Sequence, residues 1–349
     1  MTETARTIRA SCCSSIAIDF ALVSTVRRGL LGAGLLLLAA ALQPVAAQAD
    51  FPARPIRLIV AFAGGSAADS VGRAVAEELL KQLGVPVVVE NIAGAGGTIG
   101  TTAAARAQPD GHTLMLGTSL MTMAVHMNSP PAYDAMKDFV PIARVGEIPL
   151  VAVASTAAPF RTWRELIAYS KANAGKVNYA TSGKGSASHV YAEMLKRELG
   201  FQAQDVAYKD VGQAVMDTAT HKVDFFIANL PPTQGLLNAG QLRAVAVGST
   251  QRLSAFPDVP TFAEITGRRD LKLSLWYGVF APAATPAPIV AKLEKAVMKA
   301  ADSTGVWARL AVAGGAGAVG PGTELAQLVR QDNQSFSALI KSLGLVTAR

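Results

Sequence analysis

Residues 56–84 read IRLIVAFAGGSAADSVGRAVAEELLKQLG, and this stretch predicts the fold class. Its first five residues are a short β-rich run, which a glycine-containing turn ends at residues 63–66. A helical pattern follows, because apolar residues recur one helical turn apart from Val71 to Leu83 until Gly84 ends it. A strand, a tight turn and an amphipathic helix in that order predict the first unit of an α/β fold.

Strands and helices alternate in the same way along the rest of the chain. Further β-rich runs are predicted at residues 85–90, 113–116, 151–154, 177–180, 204–208, 225–228, 243–247 and 275–280. Helices are predicted in an alanine-rich stretch after residue 98, from residue 162 onwards, and at about 188–199, 289–302 and 324–343. This order predicts a mostly parallel sheet covered by helices on both faces. No linker is rich enough in glycine, serine or proline to be disordered, which favours domains joined by extended strands.

The first fifty residues differ in composition from the rest. Arg27-Arg28 precedes an uncharged run at residues 30–42, which is followed by small residues at Ala47 and Ala49. A basic segment, a short apolar segment and an Ala-x-Ala ending predict a secretory signal peptide cleaved after Ala49. The apolar run is shorter than the roughly 20 residues that cross a bilayer.

Residues 1–25 lie ahead of this signal and are interpreted as a spurious upstream extension, with Val26 as a candidate translation start. The two cysteines, Cys12 and Cys13, lie in this extension, so the exported part is predicted to have neither a disulfide nor a thiolate metal site. Export without a lipid anchor or a later spanning run predicts a free protein in the periplasm. The remaining part, about 300 residues, is long enough for two domains with their own cores.

The charge of the chain is mildly basic, with a formal net charge of +7 and no basic stripe. A nucleic-acid-binding surface needs clustered basic residues, often with aromatic residues for stacking, and aromatic residues are only 6% of this chain. We therefore expect no nucleic-acid partner. A mild positive field suits an anionic ligand instead.

The turn at residues 62–69 is a candidate anion site. Gly64 and Gly65 let the backbone turn tightly and present N–H groups at the positive end of the following helix. Asp69 either favours the helix dipole or contacts an amino or hydroxyl group of a ligand. The alternative is a plain turn between a strand and a helix.

A second loop, residues 180–189, also follows a strand and precedes a helix. Its serines and glycines can surround a carboxylate with backbone N–H and hydroxyl donors. It is not a phosphate-binding P-loop, because Gly185 follows Lys184 where that motif requires Ser or Thr. His189 has no neighbouring carboxylate in the sequence to orient it, so we interpret it as a packing or hydrogen-bonding residue rather than as a general base.

Motifs that would indicate catalysis are incomplete. A dinucleotide-binding pattern from Gly94 has Ile99 where its third glycine belongs, so these glycines are interpreted as close strand–helix packing. A nucleophile elbow starting at Gly117 has Met121 in place of its second glycine. The four histidines show no metal-binding spacing, and no carboxylates form a defensible acid–base pair. We therefore expect no enzymatic activity, no metal and no cofactor.

Short motifs, each weak alone, occur in a specific order over residues 51–345. They are Phe51-Pro52-Ala53-Arg54-Pro55-Ile56, Ala63-Gly64-Gly65-x-x-x-Asp69, Val87 to Asn91 followed by Gly94-Ala95-Gly96-Gly97, Pro109 to Leu114, Gly117-Thr118-Ser119, Lys137-Asp138-Phe139-x-Pro141, Ser182-Gly183-x-Gly185-Ser186-x-Ser188-His189, Tyr208-Lys209, Gly240-x-Leu242-Arg243-Ala244, Pro257 to Thr261, and Phe280-Ala281-Pro282-x-x-Thr285-Pro286. The ordered set resembles the Bug/TctC family, the extracytoplasmic solute-binding receptors of tripartite tricarboxylate transporters.

The resemblance implies a type II periplasmic binding protein fold, α/β, with two domains, a ligand cleft between them and two interdomain crossovers. Domain 1 would comprise residues 50–150 and 273–349, and domain 2 residues 151–272. The implied function is a periplasmic, monomeric protein that captures a small organic carboxylate and delivers it to membrane permease subunits. Two alternatives stay open: an exported α/β hydrolase-like enzyme, and a ligand-sensing receptor that docks a sensor protein.

The resemblance also implies the ligand-binding positions, to which Asp210, a departure from the family pattern, is added. They are Phe62, Ala63, Gly64, Gly65, Ser66, Asp69, Thr118, Ser119, Thr181, Ser182, Gly183, Gly185, Ser186, Ser188, His189, Asp210 and Asn229. Asp210 stands where relatives usually have glycine, and a carboxylate in the cleft would repel a second ligand carboxylate or pair with an amino group. Relatives usually have a Gly-Gly turn at His221-Lys222. Residues 120–123 are more apolar than in relatives and favour an aromatic or aliphatic acid.

Overall fold

The protein is described here by a computed structural model that covers residues 51–269, 271–345, 347 and 348. The predicted signal peptide, its cleavage site and the upstream extension lie outside the described residues. The α-helices are α1 Ala67–Leu83, α2 Thr98–Ala105, α3 Leu120–Met127, α4 Trp163–Ala172, α5 Ala187–Leu199, α6 Val211–Ala219, α7 Pro231–Asn238, α8 Phe262–Thr266, α9 Ala287–Ala301, α10 Thr304–Val312 and α11 Gly322–Leu343. The strands are β1 Ile56–Val60, β2 Val87–Asn91, β3 Thr113–Thr118, β4 Asn128–Ser129, β5 Phe139–Ser155, β6 Asn178–Thr181, β7 Gln204–Ala207, β8 Phe225–Asn229, β9 Leu242–Val247, β10 Ser274–Pro282, β11 Ala316–Pro321 and β12 Thr347–Ala348.

The predicted α/β class is confirmed, and local chemistry explains where helices begin and end. Helix α1 starts at Ser66, whose hydroxyl accepts the Asp69 N–H, and ends at Gly84 in the left-handed conformation. Thr162 caps α4 by accepting the Glu165 N–H, whereas the Glu165 carboxylate accepts the Arg161 N–H, so no reciprocal capping box forms there.

The main sheet is mixed, so the prediction of a mostly parallel sheet is wrong at its centre. The strand order is β2-β1-β3-β10-β5-β8-β6-β7, and β9 and β11 also pair with β5. The pairs β1–β2, β1–β3, β6–β7 and β6–β8 are parallel, whereas β10 and β5 are antiparallel to all their partners. Periodicity in a sequence reports burial and carries no information on strand direction.

Strand β5 is 17 residues long and changes partners along its length. Residues 139–149 pair with β10 and β11, and residues 150–155 pair with β8 and β9. We call β1–β3, β10, β11 and residues 139–149 the first half, and β6–β9 with residues 150–155 the second half. Within the described residues, no helix combines the length and apolar character needed to cross a bilayer.

The chain returns from the second half to the first beside β5. The Leu150 N–H donates to the Leu273 carbonyl at 2.8 Å, the Leu273 N–H to the Gly248 carbonyl at 2.8 Å, and the Gly248 N–H to the Leu150 carbonyl at 2.7 Å. A side chain at Gly248 would place its Cβ 2.1 Å from the Leu273 carbonyl oxygen, so this close approach requires glycine. The outgoing and returning segments are therefore hydrogen-bonded neighbours.

Each half has an apolar cluster of its own. In the first half Phe280 packs edge-on against Phe139, with ring centroids 6.1 Å apart. In the second half Val153, Phe226 and Val247 belong to another such cluster. A third cluster runs through both halves and includes the fully buried Trp163, which meets Phe225 and Phe262 edge to face at 5.2 and 5.0 Å. Edge-to-face pairs add to the stabilisation from burial, so the sheet ends on either side of the cleft rest on packed cores.

Candidate functional site

A cavity of about 480 Å³ lies between the two halves. It is lined by Phe62, Ser66, Ala95, Gly96, Thr98, Leu120, Ala124, Met127, Leu150, Ser182, Lys184, Gly185, Ser186, Ala187, Ser188, Val211, Phe226, Ile227, Ala228, Asn229, Pro232 and Leu275. This volume and this mixture of apolar walls with a few polar groups are typical of small-molecule sites.

Six helices begin at this cavity. Their starts are represented in its wall by Ser66 of α1, Thr98 of α2, Leu120 of α3, Ser186 of α5, Val211 of α6 and Pro232 of α7. The start of a helix carries partial positive charge and free backbone N–H groups, so it favours anions. Helix α7 contributes only the partial charge at its first two positions, because Pro231 and Pro232 have no N–H. The lining residues include one lysine and no carboxylate. The electrostatics of the cavity therefore favour a negatively charged ligand.

The first loop is held by the start of α1. Gly65 adopts a φ of 80°, which suits glycine, and its N–H donates to Oδ2 of Asp69 at 2.9 Å. The Asp69 N–H in turn donates to the Ser66 hydroxyl at 3.2 Å. These two bonds fix the turn that brings Phe62 and Ser66 to the cavity wall.

The Asp69 side chain faces the protein rather than the cavity. Arg73 donates to Oδ2 through Nε and forms an ion pair with Oδ1, both at 3.0 Å, and Asn91 donates to Oδ1 at 3.0 Å. Asn91 also donates to the Phe62 carbonyl at 3.0 Å. Burial acts to raise the pKa of the Asp69 carboxyl, but Arg73 and the other donors outweigh it and hold the pKa below its ordinary value. Asp69 and Asn91 therefore position the loop, and Asn91 was not predicted as a site residue.

The second loop has the same construction at the start of α5. Gly185 also has a φ of 80°, and its N–H lies 3.3 Å from Nδ1 of His189. The His189 N–H donates to the Ser186 hydroxyl at 3.4 Å. Nδ1 accepts from Gly185 only when it carries no proton, so the network assigns a neutral ring protonated on Nε2. Burial lowers the pKa of His189, which favours this neutral form.

Serine hydroxyls tie the second loop together. The Ser182 N–H donates to the Ser188 hydroxyl at 3.1 Å, and the Ser186 hydroxyl donates to the Gly183 carbonyl at 2.7 Å. The hydroxyls of Ser186 and Ser188 lie 2.9 Å apart. The serine hydroxyls of this loop thus bond to one another and to the backbone. Among the residues that the structure describes, no three or more His, Cys, Asp or Glu side chains group closely enough to hold a metal ion.

Two lining residues carry buried polar atoms without a hydrogen-bond partner among the described residues, the Thr98 hydroxyl and Oδ1 of Asn229. Thr98 is only 7% exposed. Buried polar atoms are normally paired, so these two mark where a polar ligand would be bound. Thr98 was not predicted from the sequence.

The sequence analysis does not identify Thr98, because it explains the glycines from Gly94 onwards by close strand–helix packing alone. A Cβ at Gly100 would lie 2.5 Å from the Ile92 carbonyl oxygen, so close packing does explain that glycine. Gly96, by contrast, lies in the wall of the cavity. The run of glycines before a helix start was the available signal.

The predicted ligand-binding residues fall into two groups. Those that line the cavity are Phe62, Ser66, Ser182, Gly185, Ser186, Ser188 and Asn229. Those that lie outside its lining are Ala63, Gly64, Gly65, Asp69, Thr118, Ser119, Thr181, Gly183, His189 and Asp210. Thr118, Ser119, Thr181 and His189 are buried.

Two of the three departures from the family pattern have local structural roles. Asp210 caps α6 and its Oδ1 accepts the Gly212 N–H at 2.8 Å, so this carboxylate is engaged at the helix start. His221 adopts a left-handed φ of 58°, which explains why glycine suits that turn, and its Nε2 lies 3.2 Å from Oδ1 of Asp224. Of the apolar residues 120–123, Leu120 lines the cavity while Met121 and Met123 are buried in the core.

Comparison with known proteins places the chain among solute receptors. The profile of the TctC family, described as the tripartite tricarboxylate transporter family receptor, matches residues 71–345. The periplasmic binding protein BugD has a similar structure, with a TM-score of 0.76, 34% identity, and coverage of 86% of this chain and 100% of BugD.

Two similar structures contain a bound acid. MatC from Rhodopseudomonas palustris with bound malate has a TM-score of 0.73 and 33% identity, over 83% of this chain and 100% of MatC. Rpa4515 from R. palustris with adipate has a TM-score of 0.77 and 27% identity, over 86% of this chain and 100% of that one. The similarity confirms the periplasmic binding protein fold.

Proposed function

We propose that this chain, which belongs to the TctC family of tripartite tricarboxylate transporter receptors, captures a small organic carboxylate in its cavity and delivers it to the membrane subunits of such a transporter. The observation that carries the proposal is the convergence of six helix starts from both halves on one cavity without a carboxylate in its wall. Such a site stabilises an anion through backbone N–H groups and hydroxyls.

The two relatives with bound ligands support the class of ligand. One holds malate and the other adipate, which are both small dicarboxylic acids. The apolar part of the present cavity, which includes Leu120, Met127 and Phe226, suits the carbon chain of an aliphatic acid. We infer that the ligand is an organic acid with an apolar middle.

Capture would proceed by closure of two domains, with residues 50–150 and 273–349 moving against residues 151–272. The segments between them are the middle of β5 near residue 150 and the returning chain near residue 273, and closure would bend these segments. Ligand would favour the closed form, because only there do donors from both halves contact it. We also infer that the protein binds its ligand without chemical change, since the loops supply donors and no hydrogen-bonded nucleophile and base.

The test uses full-length protein expressed in a Gram-negative host and purified from the periplasmic fraction. Its thermal unfolding is measured with mono-, di- and tricarboxylic acids, and a binding acid raises the apparent stability by about 2.7 kcal/mol at a hundredfold excess over Kd. The same samples are assayed for consumption of the acid. A protein whose melting temperature responds to no organic acid, or which converts the acid that it binds, would contradict the proposal. Sequencing of the purified N-terminus tests export, with Asp50 as the expected first residue.

A further inference from the structure

Lys184 lies at the tip of the second loop and lines the cavity. It stands between two glycines in the left-handed region, Gly183 with a φ of 101° and Gly185 with a φ of 80°. Residues with side chains rarely adopt such angles, so the glycine pair fixes the backbone path on both sides of Lys184. The Ser182–Ser188 and Gly185–His189 hydrogen bonds hold the loop to α5, so the position of Lys184 is set by the fold.

Lys184 is the one charged side chain among the residues that line the cavity. Its ammonium group forms no hydrogen bond or ion pair with any residue that the structure describes, whereas most of the other cavity-side polar groups of this loop are bonded to one another. Asp210, which could have neutralised it, lies outside the lining, and its Oδ1 accepts from Gly212. The cation is therefore available to a ligand.

The cavity has neutral polar groups in both halves. In the first half the buried Thr98 hydroxyl, at the start of α2, has no partner among the described residues. In the second half the lining includes Ser186 at the start of α5, on the same loop as Lys184. The wall also includes the apolar residues Met127, Leu150 and Leu275, so one ligand can meet neutral donors, a cation and an apolar surface in the same cavity.

We propose that Lys184 binds a second anionic group of the ligand, so that the cleft selects dicarboxylates with an aliphatic chain over monocarboxylates of the same length. This inference rests on the proposed function of the cavity. A charge-assisted hydrogen bond from the ammonium to the distal carboxylate would supply the selectivity. The helix starts and the Thr98 hydroxyl bind the other carboxylate, which monocarboxylates share.

The experiment measures Kd by calorimetry for the full-length protein after export, with dicarboxylates of four to nine carbons and the matched monocarboxylates, such as adipate and hexanoate. The wild-type protein should bind its preferred dicarboxylate about 10- to 100-fold more tightly than the matched monocarboxylate. Lys184→Gln should remove most of this ratio by weakening the dicarboxylate alone. Lys184→Arg should retain it, and Lys176→Gln, an exposed lysine of the same half outside the lining, should leave it unchanged.

A charge reversal tests the same contact with a readout that loss of folding cannot produce. Lys184→Glu should weaken the binding of adipate further and strengthen the binding of 6-aminohexanoate, which has a cationic aminomethyl group where adipate has its distal carboxylate. Equal weakening of mono- and dicarboxylates by Lys184→Gln, or no preference for dicarboxylates in the wild type, would overturn the role of Lys184 while leaving the binding function intact. Absence of binding to every acid would instead overturn the proposed function itself.

Discussion

The segments Gly65–Asp69 and Gly185–His189 are two copies of one construction. Their sequences are GSAAD and GSASH, both glycines have a φ of 80°, and the capping serines have φ and ψ of −69° and 164° in the first and −68° and 162° in the second. In each copy the glycine N–H donates to the side chain four residues later. One acceptor is a carboxylate and the other an imidazole.

Either a carboxylate or an imidazole can accept the glycine N–H beside an anion site, provided that the acceptor adds no uncompensated negative charge. Arg73, one helical turn after Asp69, compensates its charge at 3.0 Å. The position one turn after His189 is Glu193, and there the acceptor is a neutral ring. Neither loop therefore presents uncompensated negative charge to the cavity, although the chemistry differs.

The largest expected effect in this comparison comes from Asp69→Ala. The change leaves the Gly65 N–H, Arg73 and Asn91 without their acceptor, and the free energy of unfolding should fall by about 2–3 kcal/mol, because buried donors lose their partners. Urea denaturation measures it. Asp258→Ala, an exposed residue without a hydrogen bond among the described residues, is the matched control and should change stability by less than about 0.5 kcal/mol. Equal effects would show that the Asp69 network does not hold the first loop.

His189→Asp tests whether the two acceptors are interchangeable. The substitution gives the second loop the acceptor of the first, a carboxylate. One helical turn later, however, stands Glu193 instead of the arginine that compensates Asp69. The free energy of unfolding at pH 7 should fall by about 1–2 kcal/mol, and adipate should bind more weakly. His189→Asn, which offers a neutral acceptor, should retain both properties more fully. If His189→Asp were as stable as the wild type and bound adipate equally well, charge compensation would not distinguish the loops.

The two capping serines should differ by a smaller amount. Ser66→Ala should lower the free energy of unfolding by about 1 kcal/mol, which is usual for loss of an N-cap. Ser186→Ala should cost more, up to about 2 kcal/mol, because this hydroxyl also donates to the Gly183 carbonyl at 2.7 Å. Thermal denaturation of the two variants gives the ranking, and the reverse order would contradict the assigned hydrogen bonds.

The smallest expected difference between the two loops is in how the stability that each contributes depends on pH. The pKa of His189 is lowered in the folded protein, so the second loop contributes stability that is complete above the ordinary value of 6.5 and is lost as the pH falls through the folded pKa. The pKa of Asp69 is lowered from 3.8, so the first loop loses its contribution only below that value. Stability measured against pH should decline less below 6.5 in His189→Asn. Parallel curves for wild type and variant would contradict the neutral assignment of His189.

The alternation of strands and helices and both loops could be predicted from the sequence, because buried periodicity and glycine turns are local signals. Helices α3, α6, α7, α8 and α10 and strand β11 were not among the predicted elements. Strand β5 was predicted only at residues 151–154, since Pro141, Gly146 and Pro149 interrupt its earlier part and local rules disfavour a strand there. That segment is extended because β10 and β11 pair with it, which is a contact distant in sequence.

The candidate site was predictable in the same uneven way. The serines and glycines of the loops are a local sequence signal that predicts anion donors. The apolar wall has no such signal, because Leu120, Leu150, Phe226 and Leu275 lie on separate elements. No local pattern groups these residues. Asn91 was likewise beyond sequence reasoning, because its contact with Asp69 joins the end of β2 to the start of α1.

The hydrogen bonds among Leu150, Gly248 and Leu273 have a consequence for how this architecture can be altered. The chain leaves the first half at residue 150 and comes back at residue 273, where the two backbones are joined by a 2.8 Å hydrogen bond. Topologically, residues 151–272 are thus an insert whose two ends lie side by side. The corresponding segment of another receptor, joined at residues 150 and 273, could replace this insert without extra linker residues. Such an exchange would replace one wall of the cleft and leave the other unchanged.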